Sequence, residues 1–76
     1  MVDTYKDAVE KIVKKYYSGE IVPSEPLSSI TYNLGARDIA GIFIDIENQL
    51  GINLDKLFDN LEGYAIDDIV ASIGKI

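Results

Sequence analysis

Apolar residues recur along this chain at the three-to-four-residue spacing of a helix, in successive runs separated by glycine or proline. The first run holds Tyr5, Val9, Ile12, Val13 and Tyr16, with Asp3 or Thr4 expected to cap it and Gly19 to stop it. The second puts Ile39, Ile42, Phe43, Ile46 and Leu50 on one face and predicts a helix over 36–50, closed by Gly51. Asn53 is placed to cap a short third helix over 54–61, with Leu54, Leu57 and Phe58 turned inward. Beyond Gly63, Ile66, Ile69, Val70 and Ile73 predict a last helix. Asp67 and Asp68 fall in its first turn, where acids complement the helix dipole.

The β-branched IFIDI lies inside a helical pattern, so no strand is expected, and the chain has no internal repeat. Between the first two helices runs EIVPSEPLSSITYN, too rich in proline and serine for a helix. Its Val22, Leu27 and Ile30, and Leu34 just after it, are expected to fold against the core. Connections longer than about 12 residues are uncommon in compact domains and tend to be functional. The expected architecture is a single all-α domain over 1–76, a bundle of three main helices plus one short helix with a long first loop.

Composition narrows the chemistry. The chain has no cysteine and no histidine, which removes disulfides, the usual transition-metal ligands and the commonest neutral-pH proton shuttle. The net charge is −6, and four of the seven basic residues (Lys6, Lys11, Lys14, Lys15) precede position 20. An acidic body of this kind disfavours nucleic acid and suits partners with a basic docking patch. No run approaches the roughly 18 apolar residues of a membrane span. The opening VDTYKDAVEKIVKKYY is amphipathic and charged, unlike a secretory leader, so a cytoplasmic monomer away from the membrane is expected.

Candidate catalytic groups fall away in turn. DNLEG at 59–63 lacks the ligand spacing of a calcium loop. Asp67 and Asp68 are adjacent on a helix and point apart. Ser28 and Ser29 have no histidine base. No enzyme activity and no metal site are expected. The second helix carries the remaining signal. At 100° per residue Arg37, Gly41, Ile44 and Asn48 lie opposite its apolar face. Ile44 is the anomaly, an aliphatic side chain where water is expected. With Ala40 and Gly41 it makes a small apolar centre rimmed by Arg37, Asp45, Glu47 and Asn48, the anatomy of a docking surface.

The stretch LGARDIAGIFIDIENQLGINL makes the comparison specific. It resembles the acyl and peptidyl carrier proteins, whose second helix opens with L-[DG]-S-x-D-x-[VA] and reaches an apolar residue fourteen positions after the serine, often followed by Gly-Ile or Gly-Val. Leu34, Asp38 and Ala40 fit that motif, and Leu50-Gly51-Ile52 fit its far end. The resemblance extends over nearly the whole helix, loop, helix, short helix, helix order. It implies a non-catalytic carrier that holds a thioester-linked group on a 4′-phosphopantetheine arm. The implied partners are a phosphopantetheinyl transferase and enzymes that load or transfer acyl or aminoacyl groups in fatty acid, polyketide or nonribosomal peptide biosynthesis.

The residue matching the arm-bearing serine is Ala36, which has no oxygen to take the arm, and Gly35 replaces the usual Asp. Two readings of Ala36 follow. It is a Ser-to-Ala replacement that keeps a carrier unmodified, or the chain is a natural carrier-like adaptor that has lost its arm. In either, partner docking is expected at Arg37, Asp38, Ala40, Gly41, Ile44, Glu47 and Asn48.

Overall fold

The computed structural model describes residues 2–76, with side chains from Tyr5 onward. It is all-α: α1 (Val2–Lys14), α2 (Ala36–Leu50), α3 (Leu54–Asn60) and α4 (Ile66–Lys75). The helices form a cycle in which α1 packs on α2 and α4, and α3 packs on α2 and α4. Among the described residues there is no strand. Its radius of gyration of 11.2 Å matches the value of about 11 Å expected for one domain of this length.

The cycle closes because each helix turns one apolar stripe to a shared centre. Val9, Ile12 and Val13 of α1 meet Ile42, Phe43 and Ile46 of α2, Leu57 of α3, and Ile66, Ile69, Val70 and Ile73 of α4. Dispersion and the removal of this surface from water are the main stabilising terms. Among the described residues Ser72 is the one polar residue buried with them, and its hydroxyl donates to the Leu57 carbonyl at 2.7 Å, tying α4 to α3.

Helix ends follow local chemistry in most places. Gly51 adopts φ 66°, a left-handed conformation that costs glycine nothing, and its N–H bonds the Glu47 carbonyl to end α2. The Asn53 side chain accepts from the Lys56 N–H at 3.2 Å, as its position predicts. At α4, Asp68 reaches back to accept from the Ala65 N–H at 3.4 Å; Ala65 has no oxygen for the reciprocal bond.

α1 departs from expectation at both ends. Its backbone is helical from Val2, so Asp3 and Thr4 lie inside the helix and not at its cap; their side chains fall outside the described residues. It ends at Lys14, ahead of Gly19, through tightened bonds from the Lys15 and Tyr16 N–H groups to Ile12 and Val13. Beyond that exit Tyr16 and Tyr17 are partly buried and still pack against the core. Tyr5, read as part of the core stripe, is exposed.

The long first loop is pinned at separate points. Leu27 is fully buried, its N–H donates to the Tyr64 carbonyl at 3.0 Å, and the Asp67 N–H donates to Pro23 at 3.1 Å. Tyr32 is buried too. Its hydroxyl donates to the Val22 carbonyl at 2.7 Å and accepts from the Val22 N–H at 3.0 Å, while its ring meets Tyr17 edge-on at 4.8 Å. Ile30, expected in the core, is 92% exposed. The loop satisfies its interior with Leu27 and Tyr32, and the turn between them carries Ile30 outward. Phe58, also expected inward, is 43% exposed because Leu57 takes the inward position of α3.

Candidate functional site

α2 starts at Ala36, where the apolar spacing of 39–50 predicts it. Ala36 is the first helical residue and is exposed. Gly35 precedes it in extended backbone, φ −79° and ψ 169°, and no side chain caps the helix; the Gly35 carbonyl accepts the first helical bond, from the Ile39 N–H at 3.1 Å. Asp38 supplies an acid in the first turn, where the dipole favours it. A side-chain oxygen at position 36 would therefore project into solvent beside unpaired backbone N–H groups.

The residues present do not fit covalent attachment of a phosphopantetheine arm, because the Ala36 side chain is a methyl group. The nearby serines do not replace it. Ser28 sits in the loop away from any helix start, and the Ser29 hydroxyl is shut off from solvent with no hydrogen-bond partner. Among the described residues no cluster of acids is arranged to hold a metal ion.

The exposed face of α2 divides in two. Arg37, Ala40, Ile44, Glu47 and Asn48 are all exposed, with Ile44 at 51% the largest apolar group among them. Gly41 and Asp45, one turn apart on the adjoining strip, are covered by the segment that follows α1. The Tyr16 ring lies over Gly41 so closely that a Cβ there would stand 2.8 Å from the Tyr16 hydroxyl and 3.0 Å from its ring. That hydroxyl donates to Asp45 at 2.7 Å, and Lys15 pairs with the same carboxylate oxygen at 3.1 Å.

The glycine inside α2 is thus a close-approach position and not open docking surface, and Asp45 is a structural tie and not a free rim charge. The two bonds, that from Tyr16 foremost, hold the Asp45 carboxyl below the ordinary aspartate range. The bond to Asp45 likewise raises the Tyr16 phenol. Sequence reasoning assigned Tyr16 to the core stripe of α1 and so missed this tie. The available signal was Gly41 itself, since a helix interior favours alanine by about 1 kcal/mol unless something occupies the space of the methyl group.

Comparison with protein families, curated proteins and solved structures finds no match. No helix among the described residues is long and apolar enough to cross a membrane.

Proposed function

We propose that this chain is a carrier-type domain in which Ala36 occupies the attachment point of a 4′-phosphopantetheine arm and keeps the domain in its arm-free form. The observation that carries the reading is the placement of Ala36. It opens α2, is exposed, and stands after an extended Gly35 with no side chain competing for the helix N-terminus. Docking belongs to the open strip of α2, with Ile44 as apolar anchor and Arg37, Ala40, Glu47 and Asn48 around it. Asp38 supports the helix start, and Gly41 contributes by letting Tyr16 brace the helix from the side. The native partners would be a phosphopantetheinyl transferase and enzymes that load or remove an acyl or aminoacyl group.

The test is intact mass after incubation with coenzyme A and a broad-specificity phosphopantetheinyl transferase. Ala36→Ser is expected to gain one phosphopantetheinyl group and the Ala36 chain none. Adding Ile44→Asp to Ala36→Ser is expected to slow the gain by about tenfold, the loss typical of a central interface anchor, with helicity unchanged. A folded Ala36→Ser protein that gains no mass overturns the carrier reading. The methyl group at Ala36 supports a second reading, an adaptor that uses the α2 face without an arm. In that case Ala36→Ser stays unmodified.

A further inference from the structure

A second surface lies about a quarter turn around α2 from Ile44. Phe43 is nearly buried, and two exposed rings close on it edge-on: Phe58 at 5.1 Å between centroids and Tyr64 at 6.3 Å. Phe58 is 43% exposed and Tyr64 52%. These rings are held in place. Phe58 rides on α3, and the backbone around Tyr64 is pinned by the Leu27 N–H on its carbonyl and by the Pro26–Ala65 bridge. Aromatic groups fixed beforehand lose little freedom on binding, which is what an interface anchor requires.

The charge on the α3 side of the rings is mainly acidic. Asp55 lies one turn before Phe58, about 60° away around α3, and Asp59 follows it directly, whereas Lys56 is about 160° away, on the opposite side. Both acids are exposed, and among the described residues neither has a basic partner within ion-pair distance. Glu62 adds a third carboxylate, loosely paired with Lys75 at 3.5 Å. An aromatic centre with carboxylates on its rim complements a cation carried beside an apolar side chain. Arginine is the best such group, because it stacks on ring faces and also takes a carboxylate.

We propose that the Phe43–Phe58–Tyr64 surface, with Asp55 and Asp59, docks an arginine-bearing amphipathic segment of a partner protein. The proposal is independent of the carrier reading, since it uses neither Ala36 nor the open strip of α2.

The test is fluorescence anisotropy with two fluorescein-labelled amphipathic helical peptides, identical except for arginine or glutamate beside the leucine face. The arginine peptide is expected to bind saturably and less tightly as salt rises, and the glutamate peptide not to bind. Phe58→Ser with Tyr64→Ser is expected to weaken binding by about tenfold or more, with circular dichroism reporting the fold. Asp55→Asn with Asp59→Asn, which disturbs no packed group, is expected to weaken it and flatten its salt dependence. Equal binding of both peptides, no saturable binding, or affinity unchanged in the Asp variant overturns the proposal. So does self-association of the chain that Phe58→Ser abolishes, which would make a second copy the occupant.

Discussion

Replacing Tyr32 by phenylalanine removes one oxygen atom and two hydrogen bonds. That oxygen donates to the Val22 carbonyl at 2.7 Å and accepts from the Val22 N–H at 3.0 Å, closing a stretch of loop ten residues long in separation. The ring, its burial and its edge-on contact with Tyr17 remain available to phenylalanine. The cost therefore isolates the hydroxyl. Each bond contributes about 1 kcal/mol net, and Val22 is only half-buried, so water can recover part of the loss. The expected destabilisation is about 1.5–2 kcal/mol. For a domain of this size that is a fall in Tm of roughly 10 °C.

Urea unfolding followed by far-UV circular dichroism at neutral pH measures it, and amide exchange at Val22 localises it. Tyr32→Ala gives the upper bound, since losing a buried aromatic ring costs about 3–5 kcal/mol. The total stability of a 76-residue domain is only about 4–11 kcal/mol. A Tyr32→Phe protein within about 0.5 kcal/mol of the parent, or one with unchanged exchange at Val22, refutes the idea that this hydroxyl organises the loop.

The tie between the end of α1 and α2 makes two further predictions. Gly41→Ala should stabilise the chain by about 1 kcal/mol in a Tyr16→Ala background, through helix propensity alone, and by clearly less when Tyr16 is present to be displaced from Asp45; a double-mutant cycle showing no coupling counts against the contact. The Asp45 carboxyl is depressed in the folded chain, so its contribution is fully present above the unfolded value of about pH 4 and is lost as pH falls through the lower folded value. Asp45→Asn should therefore flatten the acid limb of the stability profile, and superimposable acid limbs for the two proteins would exclude the tie as its source.

Local pattern was sufficient for α2 and for the start of α3, though not for the ends of α1. The 3.6-residue spacing of Ile39, Ile42, Phe43, Ile46 and Leu50 set α2 at 36–50, with Gly51 and Asn53 marking the next boundaries, because caps and periodicity act over a few residues. The same pattern placed Ala36 at a helix start, and an alanine there settles from sequence alone that no arm can be attached at that atom. Tertiary structure decided what covers each face. Tyr16 leaves α1 to reach Asp45, 29 positions away, and turns Gly41 from surface into contact. Tyr32 goes in where Ile30 goes out, since a hydroxyl able to satisfy the Val22 backbone stabilises the interior of an irregular loop better than a bare aliphatic. Phe58 stays half in water against the edge of Phe43 because Leu57 takes the inward position of α3 and the next residue points about 100° away from it. Such choices depend on partners distant in the chain, and one-dimensional spacing holds no record of them.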